Sequence, residues 1–264
     1  MSKEKTIFLS LAVLILLIYS QSLWGGFVFD DRGIAEHQEL LSSLANLKEV
    51  ALFPYWTVDA GLYRPITLLS YAFNIIFLGG SAASFHFINL VLYFGICVFI
   101  YFLIKRLFEN EWLAYATSLL FLVLPIHTEV VANITGRSEL LSLLFSLFTL
   151  LEFTRAKPSP WRAGLWALLA IGAKETAIAA IPLVPLILFI KDRRILNPAT
   201  LGVAGGAVVY FLLRLLVLGP EHFLGIQTSL IENPLLFADT PGRVATALSI
   251  LWMYISKTFW PVNF

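Results

Sequence analysis

The chain has 264 residues, 59% of them hydrophobic and 13% charged, and its mean hydropathy is +0.83. Soluble domains average roughly 45–50% apolar and about 25% charged residues, so a soluble globular enzyme, a disordered chain and a basic nucleic-acid binder are excluded, and a membrane-embedded protein remains. Eighteen Lys and Arg against 17 Asp and Glu leave a formal charge of +1, so only the distribution of charge is informative. The single cysteine, Cys97, sits in an apolar run and offers neither a disulfide framework nor a zinc ligand set.

A spanning helix needs about 20 mostly apolar residues. In chain order, apolar runs at 7–23, 85–104, 112–126, 140–153, 161–173, 176–190, 199–218 and 244–260 predict eight spans. Lys3 and Lys5 ahead of the first run also fit a signal peptide, but no small-x-small cleavage site follows, so an uncleaved anchor is expected. The run 65–80 is the difficult case. As a helix it would cover roughly 22 Å, short of a hydrocarbon core of about 30 Å. It also carries Thr67, Ser70, Tyr71 and Asn74.

Loop charge decides the matter, because cytoplasmic loops are enriched in Lys and Arg. With 65–80 held on the outer face, Lys3, Lys5, Lys105, Arg106, Arg155, Lys157, Arg162, Lys191, Arg193 and Arg194 fall on one side; if it crossed, that set would split. The expected fold is therefore all-α and polytopic, with about eight transmembrane helices and a cytoplasmic N-terminus. Residues 24–84 form a long first outer loop with an interfacial helix, and 219–243 a second, broken by Pro220, Pro234 and Pro241. Residues 1–264 read as one transmembrane domain with no internal repeat and no soluble domain.

The outer side collects acids, bases and histidines near helix ends. Ionisable groups at membrane depth are costly and tend to be paired and functional, and polar groups converging over an apolar body are the usual form of a ligand site. Asp30 and Asp31 follow the first span. They supply a general base or an arginine's partner; alternatively Asp31 caps a helix from about Arg32 to Leu44. Between two spans, His127 and Glu129 either hydrogen-bond a polar head group or bind a cation. Arg137 there suits a phosphate, with its planar fork of donors, and Glu139 caps its own helix. Asn133-Ile-Thr135 is an outward-facing glycosylation sequon, a triplet common by chance. No His-x-x-x-His or His-Glu-x-x-His zinc pattern occurs. Lys174 and Glu175 either mark a helix–helix turn as a neutral pair or face a phosphate, with Glu175 holding the lysine. Arg214 either snorkels or faces phosphate.

Taken together, these motifs resemble the membrane region of the transmembrane-and-tetratricopeptide-repeat O-mannosyltransferases, within the GT-C class of glycosyltransferases. The residues that carry the resemblance occur in the family's order. Phe27-Val-Phe-Asp30-Asp31-Arg32 matches the acidic first-loop motif. Tyr63-Arg64-Pro65-Ile-Thr67, with Asn74 following, matches a Tyr-Arg-Pro-Leu-Thr element. Phe85-His86-Phe-Ile-Asn89 matches a His-x-x-Asn helix start. Pro125-Ile-His127-Thr-Glu129-Val and Gly136-Arg137-Ser-Glu139-Leu-Leu match one long block, and Lys174-Glu175-Thr a Lys-Glu element. Asn233-Pro234, Arg243 and Trp260-Pro261 resemble the segment before the repeats. The chain departs from the family at Tyr93, where a second histidine is frequent, and it carries no tetratricopeptide repeats.

The resemblance implies a GT-C-like core that moves mannose or another hexose from a polyprenyl- or dolichyl-phosphate donor to an acceptor hydroxyl, on protein Ser/Thr or a glycan, at the outer or luminal face. Asp30 and Asp31 then read as the catalytic base, and Arg64, Arg137 and Lys174 as ligands of the donor phosphate. His86, His127, Glu129 and Glu175 read as orienting groups or part of a cation site, with the metal unspecified. Membrane lipid is an expected partner and nucleic acid is not. The alternatives are a transporter or flippase of a lipid-linked or anionic solute, which should show polar residues through both halves of the bundle, and a truncated, non-catalytic membrane subunit.

Overall fold

A computed structural model describes residues 3–58, 60–193, 195–223, 235 and 237–259. Arg194, Asn233, Pro234, Trp260 and Pro261 lie outside the described residues. Among the described residues all regular structure is helical. The longer helices are α1 (Lys3–Tyr19), α2 (Pro65–Leu78), α3 (Ala82–Phe108), α4 (Glu111–Val123), α5 (Arg137–Phe153), α6 (Pro160–Ala173), α7 (Leu183–Asp192), α8 (Pro198–His222) and α9 (Thr240–Phe259). Proline opens α2, α6 and α8, at the position where its missing N–H costs nothing.

The two ends of the bundle differ in chemistry. At one end Lys105, late in α3, bonds Glu4 at the start of α1 at 2.9 Å and Glu111 at 3.2 Å. There too Glu152 holds Arg162 at 3.0 Å and Arg155 at 3.1 Å, and Lys191 donates to the Arg155 carbonyl at 2.5 Å. Lys105, Arg155, Arg162 and Lys191, from the basic clusters grouped by the charge argument, therefore share one end with the start of α1. Helices α1 and α3 are antiparallel, so residues 20–81 leave and return at the opposite end. Helix α2 begins at that end and, with 14 residues, belongs to the shorter apolar helices.

Among the described residues three helical stretches, Lys3–Trp24, Ala82–Phe108 and Pro198–His222, are long and apolar enough to span a membrane. A fourth crossing would join α4 to residues Pro125–Ala132 across a 57° bend. These account for three or four of the about eight spans expected. Helices α5, α6 and α7 have 17, 14 and 10 residues, roughly 25, 21 and 15 Å of rise. The apolar runs behind that expectation include breaks: 176–190 is split into a 3-10 helix, Glu175–Ala180, and α7, with Pro182 between them.

Apolar side chains of α1, α3, α4, α5 and α6 interdigitate in one core around Leu11, Ile96, Leu122 and Phe153. A second core lies under the first loop, where Ile34, Leu41 and Val50 of short helical turns pack on Leu68, Tyr71 and Phe85. That core makes the 29–62 segment a fixed cover over α2. Helices α6 and α8 meet through glycine. A Cβ added at Gly164, Gly202 or Gly206 would overlap backbone of the facing helix. In lipid, close backbone approach of this kind replaces the hydrophobic drive as the source of helix association.

Gly206→Leu is expected to force α6 and α8 apart and cost at least about 2 kcal/mol. Gly205→Ala meets open space and should be neutral or stabilising by up to about 1 kcal/mol through helix propensity. Thermal unfolding of the two variants in detergent checks the contrast.

Candidate functional site

A cavity of about 490 Å³ opens at the end of the bundle opposite Lys105; Asp30, Trp56, Arg64, Glu129, Glu139 and Lys174 are among its lining. Each comes from a segment end. Asp30 lies in the 3-10 turn Phe29–Asp31, Arg64 precedes α2, and Glu129 lies in the short helix Thr128–Ala132. Glu139 sits in the first turn of α5, and Lys174 closes α6.

The two adjacent acids point to different tasks. Phe29 has φ +47°, unusual for a bulky residue, and the turn it makes directs Asp31 inward. Asp31 is 1% exposed and accepts the backbone N–H groups of Val28 at 3.0 Å and Thr135 at 3.1 Å. It does not cap the following helix, and that helix is broken into Arg32–Glu36 and Gln38–Leu41. Asp31 is thus a tie between the first loop and the turn before α5. Asp30 is exposed to the cavity, and its carboxylate makes no hydrogen bond or ion pair among the described residues. The same holds for Glu129.

The two cations of the cavity are both paired. Arg64 donates to Glu175 at 3.0 Å and lies over the Tyr55 ring at 4.9 Å. Burial alone would lower the Arg64 pKa; the Glu175 carboxylate, through its charge and its hydrogen bond, opposes this and the value is raised. Glu175 is held from two sides, since Arg214 approaches at 3.6 Å; the Tyr210 hydroxyl lies 3.5 Å away and donates to the Tyr63 carbonyl at 2.8 Å. Lys174 forms an ion pair with Glu139, whose other oxygen accepts the Ser138 hydroxyl at 2.7 Å.

Arg137, expected at a phosphate, lies beneath the cavity with no exposed surface. Its guanidinium donates to Asn89 Oδ1 at 2.9 Å, Asn74 Oδ1 at 3.0 Å, the Phe85 carbonyl at 2.8 Å and the Ser70 carbonyl at 3.4 Å. The Tyr71 and Phe85 rings cover it. Burial lowers its pKa to about 10, which leaves it charged at neutral pH. With its donors directed at α2 and α3, it is a clamp between those helices and α5.

Neither histidine lines the cavity. His127 Nδ1 contacts the Phe121 carbonyl at 2.7 Å, which places the proton on that nitrogen. Pro125 cannot donate to Phe121, and the histidine fills the missing bond. The Tyr93 and Tyr19 hydroxyls donate to the next carbonyl, Leu122, at 3.1 and 3.2 Å. Tyr93, where the family often has histidine, thus serves the bend after α4. His86 is 2% exposed, beside Gly25, and neither ring nitrogen has a hydrogen-bond partner among the described residues. The Asn133 side chain accepts from Thr135 N and Oγ1 and lines the cavity, so the sequon faces the site.

The structure therefore brings Asp30, Arg64, Glu129 and Lys174 to one cavity with Glu175 behind it, and leaves Asp31, His86, His127 and Arg137 in supporting positions. Sequence reasoning gave Glu139 only a capping role and assigned nothing to Tyr55, Trp56 or Asn89. Glu139, directly before an apolar run and in the same motif set as a lysine, was the readable signal. Among the described residues no three His, Cys, Asp or Glu side chains are grouped to hold a metal ion.

Fold and site together define a helical membrane protein with a charged cavity at one end of its bundle. No family model and no solved structure matches the chain. Curated relatives do. The chain is 27% identical over 255 residues to Protein O-mannosyl-transferase F38B6.6 of Caenorhabditis elegans, covering 93% of this chain and 36% of that protein. It is 33% identical over 170 residues to Protein O-mannosyl-transferase TMTC3 of Homo sapiens, covering 62% and 18%, and 28% identical over 287 residues to human TMTC4, covering 85% and 38%. The chain spans about a fifth to two fifths of the length of these relatives. The matches support its membership in the TMTC family of protein O-mannosyl-transferases.

Arg137→Met should destabilise the fold by at least about 2 kcal/mol, because the Asn74 and Asn89 oxygens and two carbonyls lose their donor in a buried setting. Arg137→Lys is expected to recover little, since an ammonium cannot reproduce the fork. Unfolding curves of both variants test this.

Proposed function

We propose that this chain is the membrane portion of a GT-C-type glycosyltransferase that moves a hexose, mannose on the strength of its relatives' names, from a lipid-phosphate donor to a hydroxyl acceptor. The observation that carries the reading is one residue shared by two cavities. Glu129 lines both the charged cavity and a mostly apolar groove of about 650 Å³ between Pro125, Ile126 and Thr128 and the Ile250, Met253, Tyr254 and Lys257 side of α9. A charged chamber beside a mostly apolar groove fits a ligand with an anionic head and a hydrocarbon tail. The site would face the side opposite the basic clusters, which the charge rule makes the extracytoplasmic or luminal side.

In this reading Asp30 takes the proton from the acceptor hydroxyl, whose oxygen attacks the anomeric carbon. The bond from that carbon to the phosphate oxygen breaks, and its electron pair leaves with the lipid phosphate. Arg64 and Lys174 stabilise the negative charge that develops there. Asp30 is preferred to Asp31 because only Asp30 has a free carboxylate in the cavity. The acceptor is protein Ser/Thr by analogy with the relatives' names. The described carboxylates do not by themselves form a metal centre, and no step is assigned to one.

Incubating the purified chain with polyprenyl-phosphate mannose and a Ser/Thr-containing peptide should release lipid phosphate and label the peptide. Absence of both products with mannose, glucose and galactose donors would sink the reading. Asp30→Asn should lower turnover by roughly 10²–10⁴ with donor binding kept. Asp31→Asn should instead lower thermal stability, by about 1–2 kcal/mol, with a smaller effect on the turnover of the folded fraction. Single-turnover rates and melting curves on both variants separate the two roles.

A further inference from the structure

The two cations of the cavity are held by counter-ions of unequal permanence. Glu175, the partner of Arg64, also receives Arg214, which is itself fixed by the Gly61 carbonyl at 2.7 Å. That carboxylate has no route out without leaving two arginines behind. Glu139, the partner of Lys174, has only that ammonium and the hydroxyl of its own neighbour, Ser138. Its side chain is 37% exposed, against 20% for Glu175.

We propose that Glu139 is an exchangeable counter-ion, a positioning residue that holds Lys174 until an anionic phosphate takes its place. The inference rests on the reading of Lys174 as a phosphate ligand. The geometry favours exchange on three grounds. Lys174 closes α6 in an extended conformation, φ −156° and ψ 137°, and its backbone N–H is used by Ala170 at 3.2 Å, so the anchor of its side chain is fixed while the ammonium is not. An ammonium is a point charge with three donors and no preferred fork, and it trades one carboxylate oxygen for a phosphate oxygen without loss of geometry. A carboxylate and a phosphate on the same ammonium repel, so arrival of the second favours departure of the first.

Exchange has a mechanical consequence within the site. Glu139 lies in the first turn of α5, near the positive end of that helix, where a released carboxylate stays favourable. Displacement thus keeps the negative charge in the cavity beside Asp30 and Glu129. An empty site in which Lys174 is neutralised also avoids leaving a lone ammonium at membrane depth, which is costly. Glu139 and phosphate therefore compete for one charge, and the affinity measured for a phosphate ligand is reduced by the strength of the resident pair.

Binding of farnesyl phosphate to the purified full chain, with inorganic phosphate and farnesol as controls, tests the proposal. Glu139→Gln is expected to tighten farnesyl-phosphate binding about fivefold, the reach of a partly exposed ion pair. Lys174→Met should weaken it about tenfold or more, and Glu139→Gln should have no effect in the Lys174→Met background. Glu139→Asp, which keeps the charge but shortens the reach, should tighten binding in the same direction and serves if the glutamine variant folds poorly. Inorganic phosphate should follow the same order, and farnesol should not respond. A purely structural Glu139 predicts weaker or unchanged binding in both variants; that result overturns the proposal, as does an additive effect of the two substitutions, a response of farnesol, or failure of parent and variants alike to bind phosphate ligands. Phosphate binding with the expected pattern but without sugar transfer would sink the transferase reading and leave the exchange standing.

Discussion

The candidate site depends on one buried guanidinium. Among the described residues Arg137 pairs with no carboxylate; its charge is met by two asparagine oxygens and two carbonyls, beside two aromatic rings. A charge enclosed in this way is tolerated only when its donors are satisfied together. The four acceptors come from α2 and α3, and the arginine opens α5. Arg64 sits immediately before α2, and Ser138 and Glu139 directly follow Arg137. The position of the cavity's cation and of its exchangeable acid is therefore set from below, by a residue that cannot itself touch a ligand in the cavity.

Much of this architecture was legible before any coordinates. The charge clusters gave the two ends of the bundle, because Lys and Arg at helix ends need only composition and spacing to be seen. The same argument held 65–80 on the outer face; its polar Thr67, Asn74 and neighbours serve the interior: Thr67 donates to the Ala173 carbonyl at 2.8 Å, and Asn74 meets Arg137. The number of spans was not legible. Apolarity counts the residues between Lys174 and Lys191 as one run, whereas the backbone there must pass two prolines, Pro182 and Pro185, and turns through a 3-10 segment.

The site was half legible for a related reason. Sequence spacing identifies residues that belong to one neighbourhood, and it did bring Asp30, Arg64, Glu129 and Lys174 together. It does not say which way each side chain faces. Asp30 and Asp31 are indistinguishable as letters, and one positive φ at Phe29 separates cavity from interior. Arg137 reads as a phosphate ligand because arginine favours phosphates, yet the asparagines that claim it lie 63 and 48 residues away. His127 reads as a polar contact until the proline two residues earlier is seen to leave the Phe121 carbonyl without its helical donor.

That bend ties the site to the far N-terminal part of the chain. The carbonyls it frees are met by His127, Tyr93 and Tyr19, so its angle is fixed by α1 and α3 as well as by the segment that follows the bend. It is a brace and not a hinge. Glu129 stands two residues beyond His127, at the boundary of the charged cavity and the apolar groove. The first helix, which lends no residue to either cavity and could pass for a simple anchor, is accordingly part of what aims that carboxylate: exchanging it for another apolar helix of equal length would keep the chain in the membrane and still misalign the site.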